Sequence, residues 1–173
     1  MALYSIYLEP DNKGVKQLFD YICSEFIISN RIRPSINLGA FVSDRESAVL
    51  DCFSGLCHFL VPHNLYFTQI DAFESGTVYI KCEATEKLKL NFSKTYATMS
   101  KHFDAGFDGK FLPSVWQPYI TLGYFPCYDD ALDMRDYLRS IFKPFLCRFS
   151  SAALVKCEPY KVIARYDLTM YTM

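Results

Sequence analysis

The sequence predicts an α+β fold, a bilobal pseudo-two-fold duplication of two small antiparallel sheets with helices packed outside. Three observations lead there. The segment Arg33-Pro34-Ser35-Ile36-Asn37-Leu38-Gly39-Ala40-Phe41 is echoed 84 residues later by Gln117-Pro118-Tyr119-Ile120-Thr121-Leu122-Gly123-Tyr124-Phe125, both reading Pro-x-Ile-x-Leu-Gly-x-Phe. Strand and helix periodicities then follow the order strand, helix, strand, helix, two strands, helix, strand, helix, two strands, which divides into two similar split units. Finally, 51% hydrophobic and 21% charged residues, with no low-complexity segment or long linker, describe one globular domain over residues 1–173. Its two intertwined lobes each contribute one motif strand, 33–41 and 117–125, to a central cleft.

Leu3 to Leu8 alternates as a strand, and Glu9-Pro10-Asp11-Asn12 is the turn that ends it. Val15, Leu18, Phe19, Ile22 and Phe26 recur at helical spacing, so a helix is expected over roughly residues 13 to 28. After the first motif strand, Ser43-Asp44-Arg45-Glu46 has the form of a capping box opening a helix with Val49, Phe53, Leu56 and Leu60 on one face, stopped by Pro62. Leu65 to Phe73 and Thr77 to Cys82, separated by Glu74-Ser75-Gly76, form a hairpin pattern. Leu88, Phe92, Tyr96, Met99 and Phe103 give a helix over roughly 85 to 102. The segment 104–116, with two glycines and a proline, is a lid candidate, because a long loop inside a compact domain is often functional. Past the second motif strand, Asp129 or Asp130 caps a helix carrying Ala131, Met134, Leu138 and Ile141, ended by Lys143-Pro144. Phe149 to Cys157 and Lys161 to Leu168 close the chain as a strand pair.

Side chains alternate across a strand. Simple alternation puts Ser35, Asn37, Gly39 and Phe41 on one face and Ile36, Leu38 and Ala40 on the other; Tyr119, Thr121, Gly123 and Phe125 oppose Ile120, Leu122 and Tyr124. Each glycine is then expected to clear space for a ligand or another backbone. Arg31 and Arg33 precede the first motif and suit phosphate through their forked donors. Lys110 is a further candidate cation, while Phe41, Phe125 and Trp116 are candidates for stacking on a base.

A net charge of -1 gives no basic field, so long nucleic acid is not expected to bind by bulk electrostatics, whereas a nucleotide or a short RNA end suits a local cluster. No apolar run is long enough to cross a bilayer and the N-terminus lacks a signal-peptide pattern, so a cytoplasmic protein without membrane contact is expected. Seven cysteines, an odd number with no Cys-x-x-Cys pair, read as buried reduced thiols. The histidines, His58, His63 and His102, form no metal-ligand spacing, and neither a metal nor a cofactor is expected. No Walker loop, nucleophile elbow or dinucleotide fingerprint is present.

The paired motifs resemble those of the 2H phosphoesterase superfamily, which includes 2′-5′ RNA ligase-like proteins and cyclic nucleotide phosphodiesterases. Its members carry a Pro-His-x-Thr-Leu type motif in each lobe. Here the corresponding stretches are Pro34-Ser35-Ile36-Asn37-Leu38 and Pro118-Tyr119-Ile120-Thr121-Leu122, so Thr121 matches while Ser35 and Tyr119 stand where the resemblance implies histidines. In the family the histidines act as general base and acid on a 2′,3′-cyclic or 2′-5′ phosphodiester. The resemblance therefore implies a catalytically degenerate member whose cleft, around Ser35, Asn37, Tyr119 and Thr121, binds a nucleotide or RNA phosphate. Two alternatives stand beside it: an active ligase-like enzyme or phosphodiesterase using Tyr119 in place of a histidine, and a protein-interaction module without a ligand.

Overall fold

The computed structural model describes residues 1–11, 13 and 34–168. The helix expected over 13–28 and the two arginines Arg31 and Arg33 lie outside the described residues. Strand β1 (Ala2–Pro10) buries Tyr4, Ile6 and Leu8 on one face, as its alternation requires. Strand β2 (Ile36–Ser43) pairs antiparallel with it. Helix α1 (Glu46–Cys57) buries Val49, Phe53 and Leu56 and leads to the hairpin of β3 (His63–Ala72) and β4 (Thr77–Cys82). Helix α2 (Glu86–Met99) starts at Thr85, whose hydroxyl accepts the Leu88 N–H at 3.2 Å, and packs on β2. The two-residue β5 (Asp104–Ala105) follows, then β6 (Tyr119–Tyr124), α3 (Tyr128–Ile141), β7 (Phe145–Lys156) and β8 (Lys161–Asp167).

The strands form one antiparallel path in the order β5-β2-β1-β7-β3-β4-β6, with β8 added to β7. Its two halves are continuous because β7 is long enough to serve both. Residues Phe149 to Lys156 pair with β1, and Phe145 to Phe149 pair with β3. Where β7 does not reach β3, Arg139 of α3 donates from Nε to the Ile70 carbonyl at 2.8 Å and pairs with Asp71 at 3.1 Å, which covers backbone that would otherwise be an open edge.

Both motif strands carry the same irregularity at the same place. Tyr7 faces Asn37 while Ile6 faces Gly39, so Leu38 is skipped. Tyr79 faces Thr121 while Val78 faces Gly123, so Leu122 is skipped. A one-residue bulge reverses the alternation beyond it. The expectation that Gly39 and Phe41 share a face with Asn37 is therefore corrected: they turn toward α2 and the core. Phe41 is 2% exposed, and a Cβ on Gly39 would sit 2.8 Å from the Phe41 ring and 3.6 Å from Thr95 of α2. The glycine makes room for a core phenylalanine rather than for a ligand.

Other differences are local. Ser43 still belongs to β2 and its hydroxyl accepts the Arg45 N–H at 3.0 Å, so it closes a turn instead of a capping box. Helix α3 begins at Tyr128 behind Cys127, leaving Asp129 and Asp130 in its first turn, where acidic side chains suit the helix dipole. Cys127 is consequently exposed, while Cys82 and Cys147 are buried and Cys52, Cys57 and Cys157 are partly so; all six are free thiols. Among the described residues no helix is long and apolar enough to cross a membrane, and no three His, Cys, Asp or Glu side chains gather at one point.

The link into β3 holds an uncompensated polar group. Asn91 of α2 clamps Val61, accepting its N–H at 3.0 Å and donating to its carbonyl at 2.9 Å. His63 donates from Nδ1 to the same carbonyl at 3.0 Å, and its buried Nε2 has no partner among the described residues. Burial, and then the charge of Lys87, hold the imidazole below its ordinary range, the bond to Val61 pulling the other way. An unfolded imidazole titrates near about 6.5. As pH falls the unfolded chain takes up the proton first, so stability present above that value declines below it. The expected result is that His63→Gln flattens the fall in urea midpoint between about pH 7 and about pH 5. Equal slopes for the two proteins would contradict this assignment.

Candidate functional site

Strands β2 and β6 lie near the two ends of the sheet path, yet the sheet curls until they meet. Trp116, just ahead of β6, closes the gap. Its Nε1–H donates to the Asn37 carbonyl at 2.8 Å, and its ring stacks on Phe92 of α2 at 4.1 Å and 16°. The expected lid segment is thus tied down at both ends. Asp104 and Ala105 pair with Val42 and Phe41, and the Leu112 carbonyl accepts the N–H groups of both Val115 and Trp116. Lys110 sits between these anchors, exposed, at the end of a short 3-10 turn over Phe107–Gly109.

The face that β1, β2, β4 and β6 turn away from the helices carries the polar positions. Ser35, one step before β2, is half-buried, and its hydroxyl makes no hydrogen bond among the described residues. Asn37 is committed to its own half of the sheet: Oδ1 accepts the Gly39 N–H at 2.7 Å, satisfying backbone at the register skip, and Nδ2 donates to Ser5 Oγ of β1 at 3.4 Å. Thr121, its counterpart, is exposed and makes no side-chain hydrogen bond among the described residues. Of the two equivalent positions, Asn37 is occupied by its own contacts and Thr121 is free to meet a ligand.

Tyr119 belongs to an aromatic cluster. Its ring centre lies 5.2 Å from that of Tyr79 and 5.1 Å from that of Phe73, and Phe73 stacks on Tyr79 at 4.1 Å. Burial pushes the Tyr119 hydroxyl above its ordinary value. Tyr7, opposite Asn37 on β1, is pushed up to about 12, mainly by burial, then by Cys157, with Tyr160 and Tyr119 adding to it and the Ser5 hydrogen bond opposing. Both phenols are therefore neutral donors near neutral pH, not bases. Beyond Ser5, whose hydroxyl also accepts the Cys157 thiol at 3.4 Å, the buried Glu9 takes both Nε (2.6 Å) and Nη2 (3.1 Å) of Arg165.

Of the expected stacking residues, Phe41 is in the core, Trp116 is half-buried against Phe92, and Phe125 packs against the core rim with its N–H on the Gly76 carbonyl at 2.9 Å. Tyr7, Phe73, Tyr79 and Lys81 reach the same face, although the sequence reading does not place them there. Their signal is present in the alternation: Tyr7 occupies the polar phase of β1 with Ser5 and Glu9, and Tyr79 and Lys81 share one phase of β4. What alternation lacks is the pairing that sets Tyr7 beside Asn37 and Lys81 beside Tyr119.

No family model matches the chain, and no curated protein matches it. Solved structures do. A crystal structure of a phosphoesterase aligns with a TM-score of 0.66 at 10% identity, covering 98% of this chain and 100% of that one. TT0787 of Thermus thermophilus aligns at 0.61 and 15% identity, covering 97% and 98%. E. coli LigT complexed with 3′-AMP aligns at 0.59 and 11% identity, covering 98% and 99%. Across nearly its whole length, this chain has the α+β fold of the LigT-like 2H phosphoesterases.

Proposed function

We propose that this protein is a catalytically degenerate 2H phosphoesterase-like protein that binds a nucleotide or an RNA phosphate end on the face shared by β2 and β6. The observation that carries the reading is the hydrogen bond from Trp116 Nε1 to the Asn37 carbonyl, which ties the approach to β6 against β2, the two strands that carry the matching motifs, in a fold shared with LigT, which has been crystallised with 3′-AMP and with phosphate. Ser35 and Tyr119 take the positions of the two family histidines in this reading. Neither supplies a base near neutrality: a serine hydroxyl has no accessible anion, and burial holds Tyr119 protonated. Hydroxyl donors and aromatic rings remain, which suit binding. That same protonation of Tyr119 weighs against an enzyme using it in place of a histidine.

The test is a titration of the purified protein with 3′-AMP, a 2′,3′-cyclic nucleotide and a 2′-5′-linked dinucleotide, with product analysis of each mixture. Saturable binding without turnover is the expected result. Absence of binding to all three would refute the reading, and turnover abolished by Tyr119→Phe would replace it with an enzyme.

A further inference from the structure

We infer that Lys81 is the anion-binding residue of this site, so that a phosphate docks on the β4–β6 half of the face, between Lys81 and Thr121. The inference rests on the proposed nucleotide-binding role and says where on the face the charge is met. Lys81 and Tyr119 are directly opposed in the antiparallel ladder, as are Tyr79 and Thr121, so all four side chains leave the sheet on the same side. Lys81 is exposed, and its ammonium makes no ion pair or hydrogen bond among the described residues. Two arginines are already engaged: Arg139 is paired with Asp71 at 3.1 Å, and Arg165 is held by Glu9. Thr121 offers an uncommitted hydroxyl two residue pairs along the ladder, in the next pair on that face, whereas the amide of Asn37 is occupied within its own half of the sheet. An ammonium on a flexible stem beside a free hydroxyl is a donor pair for a phosphate oxygen, and the neighbouring Tyr119 ring provides a surface for the attached base.

The experiment measures binding of 3′-AMP, inorganic phosphate and adenosine to the wild type, Lys81→Ala, Lys81→Arg and, as a control on an engaged surface lysine, Lys89→Ala. Loss of one charge-assisted contact is expected to weaken 3′-AMP and phosphate by about tenfold or more in Lys81→Ala. Adenosine should be unaffected, Lys81→Arg should restore most of the loss, and Lys89→Ala should behave as wild type. The gap between wild type and Lys81→Ala should also narrow as salt is raised, because an exposed charge is screened. Wild-type binding with an unchanged Lys81→Ala would overturn the role of Lys81 while leaving the nucleotide reading in place. No binding of 3′-AMP or phosphate by the wild type would overturn both.

Discussion

Replacing Ser35 and Tyr119 together by histidine is expected to raise turnover of a 2′,3′-cyclic nucleotide by about 10² to 10⁴ over the native protein, the contribution typical of a positioned proton-transfer group. The native side chains are poor substitutes for imidazole. An ordinary tyrosine with a pKa of about 10 is ionised in only about one molecule in a thousand at neutral pH, and burial beside Tyr79 and Phe73 moves Tyr119 further from ionisation. Histidine titrates near neutrality and can both take and return a proton. The two positions hold equivalent places in the two motif copies, on strands that approach each other, so the double variant tests whether a pair of imidazoles there faces one space. Tyr119→His also removes a ring from the aromatic cluster, so the double variant is compared with Tyr119→Phe by thermal melting before rates are read. A folded double variant that stays inert would mean that the motif strands do not present these positions as the family reading requires. A native protein as fast as the double variant would mean that other groups carry the chemistry.

Much of this is legible from the residue pattern, and the part that is not has a common cause. Helix α2 is marked by its apolar spacing and by Thr85, and the hairpin is marked by Gly76 at φ 83 between two alternating runs. Those are properties of one segment. The orientation of Gly39 and Phe41, by contrast, depends on which residue of β1 each one faces, and a single skipped residue between Asn37 and Gly39 moves both into the core. Sequence alternation cannot register that skip, although the Leu-Gly step at which it occurs in both copies is visible. Lys81 is hidden for the same reason. It gains its importance only from the antiparallel register that sets it opposite Tyr119. The arginines at the start of the first motif stand out because they adjoin it in sequence, while the lysine across the ladder lies 38 residues away from that tyrosine.

The second large effect concerns the strand that makes the two halves one structure. Phe149 is fully buried at the point where β7 passes from one partner set to the other, with Pro10 of β1 on one side and His63 of β3 on the opposite side. Its ring lies 5.9 Å from that of Phe67, which in turn stacks on Phe145 at 5.2 Å. Phe149→Ala is expected to cost about 3–5 kcal/mol, the range for removing a buried aromatic ring, because the sheet residues around it cannot collapse into the space. That is a large share of a total stability of about 5–15 kcal/mol. Phe145→Ala, at a half-buried position, should cost less. Because β1 and β3 both rely on this strand for their hydrogen bonds, the variant should still unfold in a single transition, shifted to lower denaturant with its slope retained. Two separated transitions would show instead that the β2–β1 and β3–β4–β6 parts hold together independently, and that β7 only bridges them.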